Sequence, residues 1–144
     1  MVDFVRLKRL IHEEEKMRWV LERAKSRAEK ITTALSKSGG GGGGSGNRSR
    51  VEEGAIALAS LRDEYQEISE ALELQRNELC AQMRRIDPEK YRLEKRCLGL
   101  RYLDGLSVRT IAEALIYSES YVFEKLSKGE KLVIQLQQKE HSSP

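Results

Sequence analysis

Chemistry needs residues of the right type close together, and the reactive side chains of this sequence are few. Its two histidines, His12 and His141, stand near opposite ends, and its two cysteines, Cys80 and Cys97, lack a CxxC spacing. A zinc site needs about four converging ligands, so no metal is expected, and both thiols read as reduced, helix-borne hydrophobes. No Ser/His/Asp or Cys/His set offers nucleophilic catalysis. The glycine run within residues 39–46 lacks the Lys-Ser/Thr pair and flanking strand of a phosphate-cradling loop, and Glu13-Glu14-Glu15 is ordinary helix-surface charge. A protein that is not an enzyme and holds no cofactor is the expectation. What remains is recognition chemistry. Arg109, Ser118, Glu119, Ser120, Tyr121, Glu124, Lys125 and Lys128 crowd one short stretch. Their hydroxyls, carboxylates and cations can address base edges and phosphates of double-stranded DNA.

Helices are the elements expected to carry them. The chain has 144 residues, 34% of them charged, with 2 Pro, 6% aromatics and a mean hydropathy of −0.59. Abundant Leu, Ala, Glu, Lys and Arg favour long helices over a β-sandwich, so the fold class expected is all-α. No apolar run approaches the ~20 residues of a membrane span, and the first residues are too charged for a signal peptide. A cytoplasmic protein with no membrane partner is therefore expected. The net charge of +3 is unevenly spread. Residues 1–50 carry twelve Lys/Arg against six Asp/Glu, residues 51–100 eight against eleven, and residues 101–144 six against six. The basic excess thus lies away from the candidate DNA-reading stretch.

In residues 1–37, Leu7, Leu10, Met17, Leu21, Ala24, Ala28, Ile31 and Leu35 recur in steps of three and four, with Glu14 off the pattern. That rhythm predicts one long helix with an apolar seam. Trp19 lies off the strict seam, as a second packing face or as a partner anchor. Residues 38–48 read as a Gly-rich flexible linker. In residues 49–86, Ser49-Arg50-Val51-Glu52 reads as a capping box. Behind it Val51, Leu58, Leu61, Tyr65, Ile68, Leu72, Leu79 and Ile86 continue the seam, interrupted by Gly54, Gln75 and Gln82. Matched lengths predict a long antiparallel helical hairpin, whose seam would pair with a second copy or with the C-terminal domain.

Residues 87–139 read as a small three-helix domain, and residues 140–144 as a disordered tail. Asp87-Pro88 can end one helix and open the next, which runs to about residue 103, where Asp104-Gly105 stops it. Arg84 and Arg85, just before, either touch phosphate or form a solvated face. Ser107 should cap Val108–Leu115 and Ser118 a helix from Glu119 to about Gln138, with Ile116 and Tyr117 as the turn. A short turn between two helices is the helix-turn-helix, whose second helix enters the major groove. Ile111, Ala112, Leu115, Val122 and Leu126 are its expected packing, with Tyr117 over the turn. Ser120, Tyr121 and Lys125 are expected on the solvent face, and Arg109 is placed to meet the backbone.

The stretch from Arg96 to Leu126 resembles region 4 of sigma-70-type transcription factors. Its anchors are Leu100-Arg101-Tyr102, Gly105, Ser107, Ile111-Ala112, Leu115, Ser118, Val122 and Leu126. With the long helices before it, the chain is similar to small sigma-factor-like regulators of phages and prophages of Gram-positive bacteria. The resemblance implies a DNA-binding transcription regulator that touches a promoter and RNA polymerase, without the regions needed to melt DNA. The family usually has Gly in this turn, and Ile116 in its place implies a turn made without positive φ there. Phe123 occupies a position where polar residues are common. Two other classes fit the same elements. A phage small terminase subunit also joins a helix-turn-helix to hairpins, and would form a ring. A helical protein-interaction module would have no salt-dependent DNA affinity.

Overall fold

Straight-chain residues lose little rotamer freedom in a helix, and they dominate every long segment of this chain. The computed structural model describes the backbone of residues 1–37 and 45–142 and the side chains of residues 1–30 and 52–142. It is all-helical among the described residues. The elements are α1 (Phe4–Lys37), α2 (Ser45–Met83), α3 (Arg92–Leu98), α4 (Val108–Leu115) and α5 (Glu119–Ser142). A π-helical turn, Gly99–Leu103, continues α3 directly. No described helix is long and apolar enough to cross a membrane.

Helix α2 begins at Ser45, ahead of the cap read at Ser49, and ends at Met83. Residues 84–86 close it in tighter turns, with Ile86 N donating to the Met83 carbonyl at 3.1 Å. The linker at residues 38–44 and the side chains of Ile31, Leu35, Ser49 and Val51 lie outside the described residues.

Contacts divide the chain into two units. The first, His12–Glu70, contains most residues of the two apolar seams. Among its described residues only Glu14 and Leu21 are buried, while Met17, Ala24, Ala28, Leu58, Leu61, Tyr65 and Ile68 are half-buried. Glu14, which breaks the apolar pattern, sits on the seam. It accepts from Tyr65 Oη at 2.9 Å and from Arg18 Nη2 at 2.7 Å. That carboxylate holds the Arg18 guanidinium above its ordinary range, chiefly through the side-chain hydrogen bond.

The second unit joins Met1–Ile11 to Ala71–Pro144. Residues 87–139 therefore share their core with both flanking stretches instead of standing alone. Leu7, Leu79, Leu98, Tyr102, Ile111, Val122 and Val133 are fully buried here. Phe4 packs against Tyr102 with the rings tilted and their centroids 5.2 Å apart. One polar interruption of the second seam fastens the chain's start: Gln75 Oε1 accepts from Asp3 N at 3.1 Å. Gln137 brackets Val2, its Oε1 accepting from the Val2 amide and its Nε2 donating to the Val2 carbonyl. The Met1 ammonium pairs with Glu78 at 2.6 Å. Burying Gln75 and Gln137 is tolerable because each finds a partner.

Asp87 acts as the expected cap, accepting from Glu89 N at 2.9 Å and Lys90 N at 3.4 Å. It caps a single turn, and the regular helix starts only at Arg92. At the far end Gly105 adopts φ +72°, and Leu106 N reaches back to the Leu100 carbonyl at 3.0 Å. This is the glycine-closed helix end read from Asp104-Gly105. Helix α5 runs through Ser142, and Glu140 accepts from Gln82 at 3.1 Å and pairs with Arg85. The tail expected from residue 140 is thus helical as far as Ser142, held by that pairing.

Candidate nucleic-acid interface

The local chemistry of α4 and α5 is what their caps dictate. Ser107 is extended, with ψ 157°, and its Oγ accepts from Thr110 N at 3.2 Å. Ser118 does the same for α5, its Oγ accepting from Tyr121 N at 3.2 Å. Each satisfies an orphan amide of a first turn. Between the helices the Ala112 carbonyl accepts from both Ile116 N and Tyr117 N, the latter at 3.0 Å.

The turn does use positive φ. Ile116 sits at φ 60° and ψ 47°, in the left-handed region, with its side chain 89% exposed. A β-branched residue there costs roughly 1–2 kcal/mol. The short connection between α4 and α5 places Ile116 in that conformation although the residue is β-branched.

Behind the turn, Ile111, Ala112, Val122 and Leu126 are buried and Leu115 is half-buried. Tyr117 is 47% exposed and packs on Tyr121, with ring centroids 4.8 Å apart, so it covers the start of α5 more than the turn. The solvent face of α5 presents Ser120, Phe123, Glu124, Ser127 and Lys128, spaced by threes and fours. Phe123 is 58% exposed.

The expected site residues divide into two groups. Ser118, Glu119, Ser120 and Glu124 are exposed around the start of α5, and Tyr121 is half-buried. The cations are more entangled. Arg109 is exposed but pairs with Glu113 at 3.4 Å. Lys125, expected on the solvent face, is half-buried, and its Nζ lies 3.4 Å from Glu94 Oε1 and 5.1 Å from the Tyr121 ring. The Lys125 expectation is corrected: Glu94 of α3, itself 5% exposed, draws the ammonium inward. Partial burial pulls the Lys125 ammonium down, but Glu94, Tyr121 and Glu124 together outweigh it and leave the group above its ordinary value. Lys128 stands 3.7 Å from the same carboxylate and 5.6 Å from the Tyr91 ring, but remains open to solvent.

Sequence reading missed two members of this arrangement. Glu94 lies in an ordinary charged run, and nothing local marks it as buried. Gly129 did carry a signal, as an isolated glycine in mid-helix. A Cβ there would meet Leu98 at 2.9 Å, so its absence lets α5 pack close against α3.

Burial pushes the Cys97 thiol up, with Glu94 adding to it, which keeps it protonated and a poor nucleophile. Tyr102 is raised well above the usual phenol range, first by burial and then by its hydrogen bond to Glu130. Neither group reaches the α5 surface stripe. No family model, no curated protein and no solved structure matches this chain.

Proposed function

We propose that the chain is a DNA-binding transcription regulator, similar in kind to region 4 of sigma-70-type factors. In this reading α4 and α5 form a helix-turn-helix, α5 enters the major groove, and RNA polymerase is a second partner. The helix-turn-helix belongs to a three-helix arrangement of α3, α4 and α5, and residues 12–70 of α1 and α2 form an antiparallel hairpin. The observation carrying the functional reading is the stripe Ser120, Phe123, Glu124, Ser127 and Lys128. It is exposed beyond the Ser118 cap, while Val122 and Leu126 anchor the same helix from behind. Base edges are read from the first turns of such a helix. Serine can donate or accept there, a carboxylate accepts from the cytosine amino group, and an aromatic edge contacts the thymine methyl.

A second reading is a protein-interaction module. The pairing of Lys125 with Glu94 and Arg109 with Glu113, beside an exposed Phe123, favours it, because less free charge is left for phosphates. Gel-shift titrations of mixed-sequence duplex at several salt concentrations separate the two. A DNA reader binds with an affinity that falls linearly in log-log form with salt. Absence of any salt-dependent shift leaves the interaction module.

A further inference from the structure

We propose that the groove between α1 and α2 in residues 12–70 docks a second copy of this chain. The two copies form a two-fold dimer in which the basic α1 of one lies on the acidic α2 of the other. The inference rests on the antiparallel-hairpin reading of this unit.

The groove has a volume of about 450 Å³, and Trp19, Val20, Ala24, Leu58 and Leu61 give it largely apolar walls. Ala28, Gly54 and Ala57 leave it open where larger side chains would fill it. Trp19 on its lining is 57% exposed, and Ile56, the neighbour of Ala57, is 70% exposed. Two helices alone cannot cover both sides of their seam, and a further layer is the usual solution. A large amphipathic aromatic such as Trp19 is the residue type that anchors such a layer.

Charge selects the occupant. Residues 16–30 carry six Lys/Arg against two Glu, and residues 52–70 carry six Asp/Glu against one Arg. A foreign helix of one sign suits one wall and repels the other. A second copy brings both signs at once. Charge also selects the symmetry. A two-fold axis across the helices lays α1 on α1 and sets basic against basic. An axis along the helices lays α1 on the other copy's α2, so that every neighbour is antiparallel and of opposite sign. Counted from the Glu14–Tyr65 hydrogen bond, Arg27 comes level with Glu52 and Glu53, and Lys16 with Asp63 and Glu64.

The test uses the full chain without DNA. Trp19 is the only tryptophan, so its emission reports on this groove directly. Sedimentation equilibrium and Trp emission are followed from nanomolar to high micromolar protein. The mass doubles and the emission shifts to the blue with one common midpoint. Arg27→Glu enters a two-fold interface twice, and weakens the dimer by about tenfold or more. The double variant Glu52→Lys/Glu53→Lys weakens it comparably, and mixing the two reversed chains restores association. Arg27, Glu52 and Glu53 are exposed, so helical content measured by circular dichroism stays constant. A single-chain mass throughout, or association indifferent to both reversals, overturns the dimer. Spin labels at Glu22 and Ala59 in the most dilute sample test the hairpin separately. A short distance between them leaves the hairpin standing whatever the mass shows, and a long one removes hairpin and dimer together.

Discussion

The unit built from Met1–Ile11 and Ala71–Pro144 and the unit His12–Glu70 share α1 and α2 and put them to different ends. In the first, side chains such as Leu98, Tyr102, Ile111 and Val122 are sealed from water, and buried Gln75 and Gln137 hold the chain's first residues. In the second, the seam is half-covered, and its one buried carboxylate, Glu14, is held by Tyr65 and Arg18. Similar periodicity therefore yields a closed core in one region and a half-covered seam in the other. Stability should concentrate in the first, and surface for partners in the second.

Truncating a sealed residue against a half-covered one tests that contrast most strongly. Tyr102→Ala removes a fully buried ring that packs on Phe4, and should cost about 3–5 kcal/mol in denaturant unfolding. Leu61→Ala on the half-covered seam should cost about 1 kcal/mol, because much of its surface is already in water. Equal costs would erase the distinction.

Two glycines sharpen it by opposite signs. Gly129→Ala puts a methyl 2.9 Å from Leu98 in the sealed unit, and overpacking should outweigh the helix-propensity gain, for a net loss of roughly 1–2 kcal/mol. Gly54→Ala meets nothing within 4 Å and should stabilise by about 0.5–1 kcal/mol. Thermal melts of both variants decide the signs.

Ile116→Gly relieves the left-handed strain at the α4–α5 turn and should raise stability by roughly 1 kcal/mol, less the entropy glycine loses on folding. A lower melting temperature would show that the exposed side chain contributes to the fold. A smaller effect lies in alkali. Because Tyr102 holds its proton more tightly folded than unfolded, its contribution is complete below pH ~10 and is lost as pH rises above that. Urea midpoints should fall above pH ~10, less steeply in Tyr102→Phe than in the parent. An unchanged slope would assign alkaline loss to other groups, among them Lys125.

Much of this was legible where the cause is local. Ser107, Ser118 and Gly105 act within one turn of their own position, and the seam from Leu58 to Ile86 follows from the helical repeat alone. What was not legible depends on partners far along the chain. Glu14 looked off-pattern because Tyr65, which shields it, lies on another helix. Lys125 looked free because nothing near it announces Glu94. Val2 and Phe4 close the core through Gln137 and Tyr102, partners that lie far along the chain. Ile116 misled for a related reason: side-chain preference argued against positive φ, and the packing of two helices overrode it.

The central claim is that the face of α5 reads DNA, and its most direct test compares Lys128→Ala with Ser120→Ala on a duplex selected from random sequence. Both residues are exposed, so neither change should disturb folding. Fluorescence anisotropy titrations across a range of salt give the affinity and its salt slope for each. Lys128→Ala should weaken binding to all sequences alike and reduce the slope by ~1, the signature of one lost phosphate contact. Ser120→Ala should keep the slope and lose roughly 1–3 kcal/mol of discrimination at one base pair. Parent and variants with the same affinity, slope and sequence preference would contradict the claim.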